Sequence, residues 1–297
     1  MPERKDIMMA LPLLAEWLEQ NLHRPVTLSL LAKKVGCSSR HLSDLFSKTF
    51  GISIGAYIQK RRLTLASTML RTTRRDITDI ALMYQYSHLS SFSRAFRKQF
   101  GQSPQHYREA GYWDMTRFYP SVAVTSFASH TDIIGIPENT GIVPLNNRKK
   151  GIHFGLDFII NTENGKITSD QKIHQDIIEI IFHKNAVYPL VVYGTVLPGK
   201  ECDTDVDIVL GTFTPDGDKK GRVNIPAGHY ACFAFRGTPV SIMQFHSWAK
   251  GHGMHMYHLV MKKGPTFSVF EKTSTRGIYK TEYYIPCRAE NTMSARL

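Results

Sequence analysis

The sequence predicts a multidomain protein in which an all-α N-terminal domain is followed by an α+β C-terminal domain. Three observations support this prediction. Apolar residues before residue 110 recur at helical spacing, as Phe92, Phe96 and Phe100 do. Beyond Pro120 the apolar residues form short runs between Gly, Pro and Asn clusters, which is typical of strands. The charge changes at the same place, since residues 1–110 carry 17 Lys and Arg against 8 Asp and Glu, whereas the remainder carries 20 against 17.

These changes divide the chain into an N-terminal domain at residues 1–112, a linker at 113–120 and a C-terminal domain at 121–297. The excess positive charge of the first domain attracts polyanions, and nucleic acid is the most abundant polyanion in a cell. A basic, solvated surface without a partner is the alternative. The charge therefore favours a nucleic-acid partner without deciding it.

The composition indicates a soluble, cytoplasmic protein without a membrane partner. No run of about 18 apolar residues occurs, and acidic residues interrupt residues 1–20, which excludes a spanning helix or a secretory signal there. The four cysteines, Cys37, Cys202, Cys232 and Cys287, form no C-x-x-C pair, so we expect reduced thiols rather than disulfides or structural zinc.

An internal repeat is the most informative feature of the sequence. The pattern of residues 28–38 recurs at 77–87, an offset of 49, and the pattern of residues 43–57 recurs at 93–107, an offset of 50. Each copy reads as a short helix, a turn and a longer helix closed by Phe-Gly, which predicts a helix-turn-helix unit. One copy alone could be an ordinary helical hairpin, but two at matched spacing favour a pair of such units.

The residues around the repeats predict how the two units are capped and joined. Thr27 and Asp76 precede the first helix of each unit and can cap its free amide groups. Residues 53–71 predict a connecting helix of about 28 Å at roughly 1.5 Å per residue. Successive major-groove faces of B-DNA are about 34 Å apart, so one chain could insert both second helices, 38–50 and 88–100, into adjacent grooves and bend the duplex.

The outward faces of those second helices carry the predicted DNA contacts. Base-reading candidates are Arg40, Ser43 and Asp44 on the first helix and Ser90, Ser93 and Arg94 on the second. Arginine can donate two hydrogen bonds to guanine, and an acidic side chain can accept one from cytosine. The phosphate-contact candidates are Lys48, Arg97, Lys98 and Arg108. The alternative for each is a solvated surface charge, and for Arg62 an internal salt bridge to Asp79.

Two stretches of the first domain resemble the AraC/XylS family of transcription regulators. They are residues 77–108, with the sequence ITDIALMYQYSHLSSFSRAFRKQFGQSPQHYR, and residues 55–63, with the sequence GAYIQKRRL. The resemblance implies a monomeric, bipartite DNA-binding domain that activates stress and drug-resistance genes by recruiting RNA polymerase. Relatives carry Trp, Gln and Arg where this chain has Arg40, Ser43 and Asp44. These departures from the family pattern predict an operator sequence that differs from those of the relatives.

The C-terminal domain is predicted to contain strands at 122–127, 189–196, 206–213 and 229–235, with helices at 169–184 and 239–250. The sequences IPAGHYACFAFRGTP at 225–239 and TEYYIP at 281–286 resemble gyrase-inhibitor-like effector domains. That resemblance implies duplicated strand-helix-strand units around an apolar cleft that receives amphipathic or cationic small molecules.

The predicted ligand site centres on Glu282, which matches the carboxylate on the last strand of that family. Its candidate walls are Tyr193, Phe235, Trp248 and Tyr284. Aromatic faces around one anion suit a cationic ligand. The alternatives are that Glu282 bonds a neighbouring strand or a tyrosine hydroxyl, and that the aromatic residues are plain core.

Two further possibilities remain in the second domain. Alternating His252, Met254, Met256 and His258 would share one face of a strand and could hold copper(I), although a half-buried surface is the more frequent outcome. We therefore predict neither a metal nor a cofactor.

Apart from Glu282, the sequence contains no recognisable set of catalytic residues, which predicts a protein that is not an enzyme. The competing hypothesis is a drug-sequestering or xenobiotic-hydrolysing protein whose basic domain tethers it to the nucleoid.

Overall fold

The computed structural model describes residues 4–123, 127, 130–145, 152–154, 175, 178–179, 181–182, 186–198, 204–213 and 223–288. Its N-terminal half is helical and the described part of its C-terminal half is rich in β-sheet. The helices of the first half are α1 (Arg4–Asn21), α2 (Leu28–Val35), α3 (Ser39–Phe50), α4 (Ile54–Thr72), α5 (Ile77–Met83), α6 (Leu89–Phe100) and α7 (Pro104–Glu109). The pairs α2–α3 and α5–α6 are the two predicted helix-turn-helix units, and α4 is the predicted connecting helix.

Local capping residues fix the ends of these helices. The Thr27 hydroxyl accepts from the Leu30 amide at 3.2 Å, as predicted, and Ser38 caps α3 in the same way. Gly51 and Gly101 end α3 and α6 in the left-handed conformation, at φ of 68° and 76°. The prediction for Asp76 is wrong, because its side chain makes no capping hydrogen bond to α5.

A large antiparallel sheet forms the centre of the C-terminal half. Its strands are β2 (His130–Ile136), β3 (Gly141–Pro144), β4 (Ile152–Phe154), β5 (Leu190–Pro198), β6 (Thr204–Phe213), β7 (Val223–Asn224), β8 (Gly228–Gly237), β10 (Thr266–Lys272) and β11 (Tyr279–Pro286). Their order is β2-β8-β11-β10-β5-β6-β3-β7, with β4 also paired to β6. The predicted strands at 189–196, 206–213 and 229–235 are confirmed as β5, β6 and β8.

Helix α8 (Pro239–Trp248) covers one face of this sheet and confirms the second predicted helix. The Phe245 ring stacks on Phe235 of β8 at a centroid distance of 4.7 Å, and the His246 ring stacks on Tyr283 of β11 at 4.5 Å. The opposite face carries a separate apolar cluster around Phe267. The two faces of the sheet therefore differ: one is covered by α8 and the other carries the Phe267 cluster.

Two predicted elements fall largely outside the described residues. The predicted helix at 169–184 is one, although its described positions 175, 178, 179, 181 and 182 are helical. The predicted strand at 122–127 is the other, and its first two residues, Val122 and Ala123, lie in a turn. The duplicated strand-helix-strand arrangement therefore stays a prediction.

The two halves of the chain pack against each other through the predicted linker. Strand β1 (Tyr112–Asp114) pairs with β9 (Val260–Lys262), and a 3-10 turn, Met115–Arg117, follows it. The Trp113 side chain is buried in a hydrophobic cluster that extends from Phe96 of α6 to Phe245 of α8. Residues 113–117 thus form ordered secondary structure between the halves.

The prediction of a His/Met face on a strand is wrong. Ala249–Gly253 forms a π-helical turn that continues α8, and α9 (Met254–Met256) follows it directly. The Met254 side chain is fully buried, whereas His258 is exposed at a φ of 53°. Helical geometry removes the strand alternation on which the copper(I) alternative depended.

Candidate nucleic-acid interface and C-terminal ligand site

The second helices of the two units, α3 and α6, bury equivalent apolar stripes. Leu42, Leu45 and Phe46 are buried on α3, as predicted. Phe92, Phe96 and Phe100 are buried on α6, where the Phe96 and Phe100 rings also contact Tyr107 of α7. Residues spaced three and four apart share a helix face, so this burial leaves a polar face on each helix directed away from the core.

The predicted base-reading residues all lie on those polar faces. Arg40, Asp44, Ser90 and Arg94 are exposed, and Ser43 and Ser93 are half-buried at the margin of each face. Among the described residues, no carboxylate pairs with Arg40 or Arg94. Both guanidinium groups can therefore donate to an external acceptor without breaking an internal ion pair.

The phosphate candidates separate into two groups. Lys48, Arg97 and Lys98 are exposed in the last turns of α3 and α6. Arg108 is instead half-buried, and its guanidinium donates to the Leu70 carbonyl at 3.2 Å and to the Arg75 carbonyl at 2.5 Å. These bonds tie α7 to the C-terminal end of α4 and give Arg108 a structural role, which the prediction of a phosphate contact did not include.

In the C-terminal half, Glu282 lies on β11 within a small polar network. One carboxylate oxygen contacts Lys280 Nζ at 2.9 Å, and the other accepts from the Tyr284 hydroxyl at 2.8 Å. These hydrogen bonds, that of Lys280 first, outweigh partial burial and lower the pKa of Glu282. The alternative in which Glu282 bonds a tyrosine hydroxyl is thus present in the structure, and the carboxylate remains ionised at neutral pH.

Two of the predicted aromatic walls share a sheet face with Glu282. Tyr284 stacks on Phe267 at a centroid distance of 4.3 Å, and Phe267 is the cross-strand partner of Tyr193. Residues two apart on a strand, and residues directly opposite on neighbouring strands, project to the same face. Glu282, Tyr284 and Tyr193 therefore form one half-buried acidic and aromatic surface.

The other two predicted walls lie on the opposite face, and their assignment is wrong. Phe235 is the cross-strand partner of Thr281, next to Glu282 in sequence, so strand alternation directs it toward α8. Trp248 is only 3% exposed and packs against Phe245 and Phe233. Both residues belong to the core under α8, which agrees with the alternative that these aromatic residues are plain core.

The comparisons with known proteins agree with the geometry of the helical half. Residues 31–110 match a family model described as a helix-turn-helix domain. The chain also aligns with the regulatory protein SoxS of Salmonella typhimurium strain LT2, at 40% identity over 32% of this chain and 89% of that protein. The chain belongs to the AraC/XylS family of transcription regulators.

Relatives within the AraC/XylS family extend over both halves of the chain. The transcriptional regulator Rob of Salmonella typhimurium strain LT2 is 29% identical over 92% of this chain and 96% of that protein. The right origin-binding protein of Escherichia coli strain K12 is 28% identical over 84% of this chain and 85% of that protein. This AraC/XylS-family chain is therefore a DNA-binding transcriptional regulator related to Rob and SoxS, and its DNA partner is double-stranded.

Several basic residues of the AraC/XylS domain serve the fold rather than the DNA face. Arg61 is 4% exposed and bonds Glu19 of α1 at 2.7 Å and the Tyr119 carbonyl at 2.7 Å. Arg62 donates to the Leu22 and Arg24 carbonyls, both at 2.8 Å, rather than to Asp79. Sequence reasoning missed these roles, because helix spacing identifies buried apolar faces but not which arginine reaches a carbonyl of a distant helix.

Arg71 completes this group at the end of α4. Its guanidinium donates to the Tyr107 carbonyl at 2.9 Å and also contacts the Ala110 carbonyl at the end of α7. A cation beside the last carbonyls of a helix also offsets the negative end of the helix dipole. These internal arginines mean that the net charge of the first half overstates the charge available to DNA.

Two other kinds of feature are absent from the described residues. No described helix is long and apolar enough to span a bilayer. No group of three or more His, Cys, Asp or Glu within the described residues could hold a metal ion. Cys37, Cys232 and Cys287 are free thiols, and Cys202 lies outside the described residues.

Proposed function

We propose that this regulator is a sequence-specific transcription activator in which one chain supplies both recognition helices to adjacent major grooves of a promoter. The single observation that carries the proposal is the pair of exposed guanidinium groups of Arg40 and Arg94 on equivalent helices, neither of which pairs with a carboxylate in the described part of the chain. A guanidinium can donate two bonds to guanine O6 and N7, which makes it the most frequent base-reading group.

The other polar residues of the two helices take supporting roles in this proposal. Ser43, Ser90 and Ser93 can hydrogen-bond to a base edge, and Asp44 can accept from cytosine N4. Lys48, Arg97 and Lys98 neutralise phosphates and fix the register without reading sequence. By resemblance to the family, the bound protein recruits RNA polymerase to stress or multidrug-resistance genes in the nucleoid.

We further propose that the C-terminal half senses an amphipathic, cationic small molecule at Glu282, Tyr284 and Tyr193. An ionised carboxylate beside two half-buried tyrosine rings offers a cation both a charge partner and aromatic faces. A ligand cation would have to displace Lys280 from one carboxylate oxygen. Glu282→Gln removes the anion and should abolish binding of a hydrophobic quaternary ammonium probe in calorimetry, whereas unchanged affinity would remove the assignment.

The DNA-reading proposal is tested by selecting bound duplexes from random DNA and measuring Arg94→Ala on the selected site. We expect a loss of about 1 to 3 kcal/mol in binding free energy at that site, together with relaxed preference at one base position. Lys263→Ala is the matched control, because Lys263 is an exposed cation of the C-terminal half. Its effect should be much smaller.

The competing hypothesis makes a different prediction for the same variant. If the helical half only tethers a drug-sequestering or hydrolysing protein to DNA, Arg94→Ala should weaken all duplexes equally, and no consensus should emerge from selection. That result would reject sequence-specific activation while leaving DNA binding itself intact.

A further inference from the structure

Three consecutive backbone carbonyls join the loop between α1 and α2 to two distant parts of the DNA-binding half. Arg62, near the middle of α4, donates to the Leu22 and Arg24 carbonyls, both at 2.8 Å. The side-chain Nε2 of Gln85 donates to the intervening His23 carbonyl at 2.7 Å. The loop leads into α2, and Gln85 lies in the turn between α5 and α6. This second bond therefore connects the entrance of one helix-turn-helix unit to the turn of the other.

The loop that accepts these bonds has a defined conformation of its own. The Arg24 amide donates to the Asn21 carbonyl at 2.9 Å, which closes a turn at the end of α1. Pro25 restricts the backbone that follows, and Thr27 then caps α2. Because the loop is ordered and bonded to α4, Gln85 contacts a fixed point rather than a segment that can follow its movement.

Gln85 has an uncommon backbone conformation, at the position where the first unit has glycine. Its φ is 69°, and that of Gly36, the equivalent residue, is 71°. This left-handed region favours glycine, so glutamine is a costlier choice for the same turn. Glutamine keeps the turn geometry of the repeat and adds a side-chain donor that the first unit lacks.

The position of this hydrogen bond determines what it can control. Helix α4 fixes the separation of the two units, but each unit packs against its own end of that helix. A rotation of one unit about the α4 axis would turn its recognition helix away from the adjacent groove. Such a rotation would also separate Gln85 from His23, and a hydrogen bond weakens steeply when its geometry is lost. The bond therefore opposes that rotation.

We infer, on the basis of the proposed function in which α3 and α6 enter adjacent grooves, that Gln85 is a positioning residue for half-site spacing. It contacts no base in this role and acts through the orientation of α6 relative to α3. Each base pair added or removed between two half-sites rotates one relative to the other by about 35°. Loss of the Gln85 side chain should let the two units follow that rotation and accept duplexes of altered spacing.

Fluorescence anisotropy on a duplex selected from random DNA tests this role. The same duplex with one base pair inserted or deleted between the two half-sites supplies the altered spacings. Gln85→Gly removes the donor and keeps the left-handed turn, as Gly36 does, so the variant should fold with stability close to that of the unmodified protein. We expect its preference for the selected spacing to fall about threefold, which is the size of effect that one hydrogen bond produces.

Two further variants separate the hydrogen bond from other effects of the substitution. Gln85→Glu has nearly the same shape but cannot donate when ionised, and it should lose the spacing preference to a similar extent. Gln105→Ala is the matched control, because the Gln105 amide bonds Glu109 within the single helix α7. That variant should keep the full preference for the selected spacing.

The spacing series distinguishes positioning from a general contribution to the fold. If Gln85 only stabilised the fold, Gln85→Gly would weaken binding equally at every spacing. That result, or an unchanged preference for the selected spacing, would overturn the positioning role and leave the proposed function intact. An unmodified protein whose affinity does not depend on the second half-site would reject both the proposed function and the positioning role.

Discussion

The two helix-turn-helix units are alike where they face the core and different where they face solvent. Four-residue spacing places Arg40, Asp44 and Lys48 along one ridge of α3, and the equivalent ridge of α6 carries Ser90, Arg94 and Lys98. The first ridge alternates in charge, whereas the second carries two cations and no acidic residue. The repeat therefore preserves the apolar packing and leaves the outward residues free to differ.

The helices that flank the two units also differ in how they are attached to α4. Helix α1, before the first unit, is held by the buried ion pair between Glu19 and Arg61, and the Tyr57 hydroxyl also donates to Glu19. Helix α7, after the second unit, is held by Arg71 and Arg108, whose guanidinium groups donate to backbone carbonyls. Removing either partner of a buried ion pair leaves the other as an unpaired buried charge. Where several carbonyls accept from arginine, the loss of one hydrogen bond leaves the others in place.

Removing the buried carboxylate should have the largest effect on stability. We expect Glu19→Ala to lower the free energy of unfolding by about 3 to 5 kcal/mol, because Arg61 would then be a buried charge without its anion. Chemical denaturation monitored by circular dichroism measures this change in the free energy of unfolding. Glu16→Ala on the exposed face of α1 is the control and should change stability by less than about 0.5 kcal/mol. Equal effects of the two variants would contradict the proposed anchoring.

Arg108 and Arg97 separate a structural arginine from a phosphate-binding one. Arg108→Ala should lower stability by about 1 to 3 kcal/mol, since it removes charge-assisted hydrogen bonds to two carbonyls, and should leave the salt dependence of DNA binding unchanged. Arg97→Ala should leave stability nearly unchanged and reduce the slope of log affinity against log salt by about 1. A smaller salt slope in Arg108→Ala would support its assignment as a phosphate contact.

Asp44 gives the smallest effect and sharpens the comparison of the two ridges. Asp44→Asn removes a negative charge from the α3 ridge and should raise affinity for unrelated duplexes about two- to fivefold, by lowering the repulsion of phosphate. Fluorescence anisotropy on a random duplex measures this. Asp79→Asn, an equal change on the exposed side of α5, should have less effect. Unchanged or lower affinity in Asp44→Asn would remove the repulsive role.

Much of the helical half could be predicted because its signals are local. The spacing of Phe92, Phe96 and Phe100 requires that they share a face, and Gly51 and Gly101 end helices in a conformation that favours glycine. One detail shows the limit of the repeat. The turn that uses Gly36 in the first unit uses Gln85 in the second, at a φ of 69°, and the side-chain Nε2 of Gln85 donates to the His23 carbonyl at 2.7 Å.

The parts that could not be predicted depend on contacts between distant segments. Nothing near Arg108 or Arg61 in sequence reveals the carbonyls and the carboxylate that hold them. The alternation of His252 and Met254 has the period of a strand, but the adjoining α8 continues through a π-helical turn and imposes helical geometry. Phe235 and Trp248 are aromatic like Tyr284, but the register of β8 against β11 places Phe235 on the sheet face opposite Glu282. Trp248 of α8 packs against Phe245 on that same opposite face.

Hydroxyl-radical footprinting on a duplex selected from random DNA tests most directly whether both recognition helices bind one duplex side by side. We expect protection on one side of the DNA over two successive helical turns, with Arg40→Ala weakening protection in one turn and Arg94→Ala in the other. Protection confined to a single turn, or a footprint that neither variant alters, would contradict the account.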